Sequence, residues 1–99
     1  MINALSETER THALTNLPLW RFDPARNALY RRLQFRDFAE ALGAMVQIGV
    51  MADKADHHPE WSNVYNTVEI WLTTHDANGV STRDLALAQA IDGCVRQGV

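Results

Sequence analysis

The sequence predicts an α+β fold with the element order α-β-β-α-β-β-α. Three observations predict it: two capping-box patterns that open helices, one long run of apolar residues at spacings of three and four, and two pairs of alternating segments around clusters of turn formers. Ninety-nine residues suffice for one domain, expected to span 1–99, with a core small enough that oligomerisation would add stability.

Ser6-Glu7-Thr8-Glu9 has capping-box form and starts a short helix from about Glu7 to Asn16, ended by Pro18. Leu19 to Phe22 and Ala28 to Phe35 read as strands around the turn Asp23-Pro24-Ala25-Arg26-Asn27. In the second strand Leu29, Arg31, Leu33 and Phe35 share one parity, and Arg31-Arg32 reads as a solvated strand surface.

From Arg36 to about Ala55 the period is helical, and Phe38, Leu42, Met45, Val46 and Gly49 form the stripe expected to face the core. Ala41, Ala44, Ile48, Val50 and Met51 make the rest of that helix apolar too, an excess that points to contact between subunits. His58 precedes Pro59, which biases it away from helical geometry and places the helix end before it.

Ser62 to Tyr65 and Thr67 to Thr74 read as strands, the second with Val68, Ile70 and Leu72 inward and Glu69, Trp71 and Thr73 outward. Asp76 to Gly79 is a turn, and Ser81 to Asp84 is a second capping box. It opens a final helix with Leu85, Ala88, Ile91 and Val95 inward. Trp20, Trp61 and Tyr65 are assigned to the core.

Composition narrows function. The apolar fraction of 46% with 21% charged residues is that of a folded globular chain. A net charge of −3 with dispersed basic residues disfavours nucleic-acid binding. The one cysteine, Cys94, has no internal partner, and no run approaches the roughly 20 apolar residues of a membrane span. A cytoplasmic protein is expected, with no membrane partner.

The chemistry-bearing stretch is Asp53 to Asp84, which holds three of the four histidines. His57-His58 and His75-Asp76 bracket the third and fourth strands, and an imidazole, with an ordinary pKa of about 6.5, exchanges protons at neutral pH. General acid-base chemistry is the natural use of such a cluster. The same residues form an acceptable metal-ligand set, but adjacent histidines diverge and the sequence has neither a helical i, i+4 histidine pair nor a cysteine pair. A structural role, capping the long helix and bonding loop carbonyls, would suffice for any single histidine. Asp84 reads as the N3 partner of Ser81, at a helix N-terminus that can also orient a ligand. Asp53 and Asp56 read as solvated charges at a helix end where the dipole disfavours them.

The segments D-H-H-P-E-W-S-N-V-Y-N-T-V (Asp56 to Val68), L-T-T-H-D (Leu72 to Asp76) and S-T-R-D-L-A-L-A (Ser81 to Ala88) resemble the pterin-4a-carbinolamine dehydratase family. The resemblance continues more weakly through Trp20, Phe35 to Ala41, and Ser6. It implies a two-layer fold, a four-stranded antiparallel sheet with helices on one face, in a homodimer joined through its sheets or a homotetramer built by the main helices.

It also implies an activity: loss of water from 4a-hydroxytetrahydropterin to give quinonoid dihydropterin, recycling the cofactor of aromatic amino-acid hydroxylases without a metal or any other cofactor. On that resemblance His57 and His75 are acid and base, and His58 chiefly holds substrate. Asp56, Thr73, Thr74 and Asp76 line the pterin, and Asp84 supports a histidine. Asp53 stands where many members carry Glu, Asn78-Gly79-Val80 replaces the commoner Gly-Gly-Leu or Ala-Gly-Leu, and Trp71 is large for an outward strand position and suggests a subunit contact. Two other readings go with the family: a protein-interaction module, since some members partner a homeodomain transcription factor, here through Ile48 and Met51 of the main helix, and a pterin binder without turnover.

Overall fold

A computed structural model of the chain describes residues 2–95. The elements are α1 (Glu7–Leu14), β1 (Arg21–Asp23), β2 (Ala28–Gln34), α2 (Phe38–Lys54), β3 (Glu60–Val64), β4 (Thr67–Leu72), a single 3₁₀ turn (His75–Ala77) and α3 (Thr82–Cys94). The strands form one antiparallel sheet in the order β1-β2-β4-β3.

Leu29, Leu33, Val68, Ile70 and Leu72 project from one face of this sheet and are fully buried. Against them pack Ala41, Ile48 and Ala52 of α2 and Leu87, Ala88 and Ile91 of α3, so the helices share one face and the core lies between two layers. The opposite face carries Tyr30, Arg32, Glu69 and Trp71 in register.

Local chemistry explains the element starts. Ser6 Oγ accepts from the Glu9 N–H at 3.1 Å, and the Glu9 carboxylate accepts from the Ser6 N–H at 2.8 Å. Those bonds, the backbone one first, hold the Glu9 carboxyl below its ordinary value. Asp37 caps α2 through the Glu40 N–H. β1 begins at Arg21 rather than Leu19 because the Trp20 N–H bonds the Leu17 carbonyl, continuing a turn to that point.

Four expectations are corrected. The buried face of α2 is Ala41, Ile48 and Ala52, while Phe38 (46%), Leu42 (46%), Val46 (59%) and Val50 (53%) are exposed. Both faces of α2 are apolar at helical spacing, so periodicity cannot phase the helix. The two alanines let it approach the sheet, and the bulkier stripe is left outside. Ile48, expected on an exposed contact surface, is fully buried. Arg31 is not solvated: it is 3% exposed on the core-facing side of β2 and forms an ion pair with Asp92 of α3. Tyr65 is exposed at the β3–β4 turn rather than in the core. Trp71 does lie on the outer face, where the Arg26 guanidinium covers its ring 3.7 Å from the centroid and Asp23 accepts its indole N–H at 3.0 Å.

Candidate active site

Antiparallel pairing of β3 with β4 sets Glu60 opposite Trp71, so the start of β3 and the end of β4 share one edge of the molecule. Residues just before β3 and just after β4 therefore meet there. His57 is delivered by the end of α2: Asp56 takes the left-handed conformation (φ 52°), its N–H bonds the Asp53 carbonyl at 3.1 Å, and the His57 N–H bonds the Ala52 carbonyl at 3.1 Å. This is a Schellman termination, in which a short polar side chain replaces the usual glycine at modest cost. Asp56 thus has a structural duty in aiming His57.

The imidazole of His57 is largely buried and lies 2.5 Å from Asp84 Oδ1 through Nε2. Asp84 is fully buried at the third position of α3, and its other oxygen, Oδ2, accepts from the Ser81 N–H and from the Thr74 hydroxyl, both at 2.8 Å. Ser81 Oγ in turn sits 2.6 Å from Thr74 Oγ1. One oxygen of Asp84 closes the capping box and the other holds the histidine, so cap and site support coexist in one carboxylate. With two donors already on it, the carboxylate is the acceptor for the His57 Nε2–H, which leaves Nδ1 as the nitrogen available for proton exchange.

His75 opens the 3₁₀ turn that follows β4, closed by the Thr74–Gly79 bridge and by the left-handed Asn78, whose N–H bonds the His75 carbonyl. Its ring is largely exposed, with Nε2 3.2 Å from Glu60 Oε2. His58 is also exposed and contacts Asp53 at 3.2 Å. Each of the three imidazoles therefore faces a carboxylate.

His57, His58, His75, Asp56, Thr73, Thr74 and Asp76 all line one cleft of about 400 Å³. That volume is in the ~300–1,000 Å³ range of small-molecule sites. Asp53 and Asp84 do not line it: Asp53 reaches it through His58, and Asp84 through His57 and Thr74. Thr74 borders the cleft, but its buried hydroxyl is committed to Asp84. No group of three or more His, Cys, Asp or Glu among the described residues is arranged to hold a metal ion. No helix among them is long and apolar enough to cross a membrane. Burial pushes the Cys94 thiol up from its ordinary value, and it does not border the cleft.

Comparison with known proteins decides the family. The family model described as Pterin 4 alpha carbinolamine dehydratase matches residues 3–94. The chain belongs to the pterin-4a-carbinolamine dehydratase family. It is 50% identical to a "Putative pterin-4-alpha-carbinolamine dehydratase" of Burkholderia cenocepacia (strain HI2424), over 94% of this chain and 91% of that one. A protein of the same name from Nitrobacter winogradskyi is 48% identical over 98% and 96% of the two chains. The crystal structure of a "transcriptional coactivator/pterin dehydratase" from Brucella melitensis matches with a TM-score of 0.88 and 42% identity, covering 92% of this chain and 97% of that one. The dehydratase family is named for a hydro-lyase, and the cleft just described carries the motif residues of that resemblance.

Glu60 and Arg83 also border the cleft, and sequence reading assigned neither a role. The signal for Glu60 was the hairpin itself, since the first residue of β3 must face the residues following β4. Glu60→Gln is expected to lower kcat/KM for a cleft-bound substrate several-fold while leaving the melting temperature unchanged, because the contact is exposed and of small energetic weight. Steady-state kinetics beside a thermal melt checks this, and unchanged kinetics would show that Glu60 does not act on His75.

Proposed function

We propose that the chain dehydrates 4a-hydroxytetrahydropterin to quinonoid dihydropterin by histidine acid-base catalysis, so recycling a tetrahydropterin cofactor. The single observation that carries this reading is that His57, bonded through Nε2 to the buried Asp84, and His75, whose Nε2 lies 3.2 Å from Glu60, border the same cleft.

In the reaction the C4a–O bond breaks while the N5 lone pair forms the C4a=N5 bond. The hydroxyl takes a proton from a general acid and leaves as water, and the N5–H proton passes to a base. His57 and His75 take these two roles, His57 through Nδ1, since its Nε2 is engaged by Asp84, and His75 through its exposed ring. Thr73, Asp56 and Asp76 supply donors and acceptors for the pterin's polar edge, and His58 holds the substrate. A positioned acid or base typically contributes ~10²- to 10⁴-fold.

The experiment is the decay of freshly generated 4a-hydroxytetrahydropterin with and without protein. Acceleration supports turnover, and pterin binding with an unchanged decay rate would replace the enzyme by a pterin-binding protein.

A second reading, self-association or protein contact through α2, is favoured by the exposed row Phe38, Leu42, Val46 and Val50 at spacings of four. The name transcriptional coactivator, borne by the Brucella melitensis structure, points the same way. Val46→Glu is expected to lower the mass measured by light scattering, and an unchanged oligomer would remove this row as the contact.

A further inference from the structure

The His75 side chain is 82% exposed, so packing around the ring does little to fix it, and its place depends on the backbone of residues 74–79. That loop closes on itself, the Thr74 and Gly79 N–H groups each bonding the other's carbonyl at 3.0 and 3.3 Å. It is fixed at its base, where the Thr74 hydroxyl bonds the buried Asp84. Its far side, which carries Asn78, needs a second anchor.

The β1–β2 turn supplies one. β2 pairs with β4 with Leu29 opposite Leu72, which brings the residues before β2 alongside those after β4. Asn27, left-handed at φ 52°, donates from its side-chain amide to the Asn78 carbonyl at 3.1 Å, and its own carbonyl accepts the Thr73 hydroxyl at 3.0 Å. Those bonds grip the chain on both sides of His75. The turn is itself tied to the sheet: Asp23 accepts the Ala25 N–H through one oxygen and the Trp71 indole N–H through the other, and Arg26 lies over the Trp71 ring. Gly79 admits the close approach, because a Cβ there would stand 3.3 Å from the Asn27 amide nitrogen.

Resting on the dehydratase reading, we propose that Asn27 is a positioning residue for the reaction, holding the 75–78 turn so that the His75 imidazole faces the cleft. Asn27 does not border the cleft and acts through His75. Its residue type fits the duty, since asparagine tolerates the left-handed region and carries an amide donor. Glycine adopts the same backbone but leaves the Asn78 carbonyl without that bond.

The test measures carbinolamine dehydration by wild type, Asn27→Gly, His75→Ala and the double variant, with the imidazole carbon-proton resonances of His75 followed by NMR. Asn27→Gly is expected to lower kcat about tenfold with KM within about twofold, the signature of a misplaced proton-transfer group rather than of lost binding. It should add nothing when His75 is already alanine. The His75 resonances should move while those of His12, on α1, stay in place. Asn27 is exposed and one neutral hydrogen bond is lost, so Tm should fall by no more than about 4–8 °C. Wild-type kcat in Asn27→Gly, the same loss repeated in the His75→Ala background, or unmoved His75 resonances would overturn the assignment. Absence of acceleration by the wild type would instead remove the dehydratase reading, and the resonances would still decide whether Asn27 sets the His75 turn.

Discussion

Asp84→Asn is expected to lower kcat/KM for carbinolamine dehydration by roughly 10²-fold or more, the lower end of what a positioned acid or base contributes. The carboxylate receives donors on both oxygens, from His57 on one and from Ser81 and Thr74 on the other. An amide turns one of those oxygens into a donor. Either the imidazole loses its acceptor and its tautomer is no longer fixed, or the helix cap meets a second N–H. Asp84→Ala goes further, leaving the Ser81 N–H and the Thr74 hydroxyl unpaired in a buried place, at ~1–3 kcal/mol for each orphaned group. In a domain of this size ~1 kcal/mol shifts Tm by about 4–8 °C, so the alanine variant should melt at least ~5 °C lower. Carbinolamine decay and a thermal melt check both effects, and wild-type kinetics in a folded Asp84→Asn protein would show that His57 does not depend on this carboxylate.

The largest stability effect is expected at Asp92. Arg31 lies on the core face of β2, and its guanidinium meets Asp92, which also accepts the Trp20 indole N–H at 2.8 Å. The pair and the indole tie α3 to the sheet and to the segment before β1. Asp92→Ala leaves a buried guanidinium without a counter-charge and an indole without an acceptor. Breaking such a pair costs about 3–5 kcal/mol, and because Asp92 is 26% exposed the low end applies. Against a typical total of ~5–15 kcal/mol this is a large fraction. Arg31→Met combined with Asp92→Leu should recover the part of the loss that comes from the unpaired guanidinium, since well-packed apolar residues often replace a buried pair without penalty, while the Trp20 indole stays without its acceptor. Urea denaturation of the single and double variants measures both, and an Asp92→Ala protein within ~0.5 kcal/mol of wild type would contradict the account.

The element order was legible because the capping boxes, the turn clusters and the change of period each act locally. Ser6-Glu9 and Ser81-Asp84 form the boxes their spacing predicts, and the alternation in β4 buries Val68, Ile70 and Leu72 as expected. What failed depends on tertiary packing. Two apolar faces on α2 are equivalent in one dimension, and only the sheet selects Ala41, Ile48 and Ala52. Arg31 looked solvated because its partner is 61 residues away, on a helix whose docking against β2 is set by tertiary packing.

The placement of the candidate site was legible for a related reason. A hairpin brings its two flanks together, so histidines before β3 and after β4 had to meet once the pairing was antiparallel. The pairing of each histidine was not legible, since the Asp84 contact spans 27 residues and depends on how α3 docks. Asp56 was read as a solvated charge, and its left-handed geometry emerges only from the way α2 terminates.

Histidine catalysis is tested most directly by the decay of freshly generated 4a-hydroxytetrahydropterin with wild type, His57→Ala, His75→Ala and the double variant. Acceleration by wild type is expected, with a loss of ~10²- to 10⁴-fold in each single variant and decay at the protein-free rate in the double. Full activity in a folded double variant would contradict it.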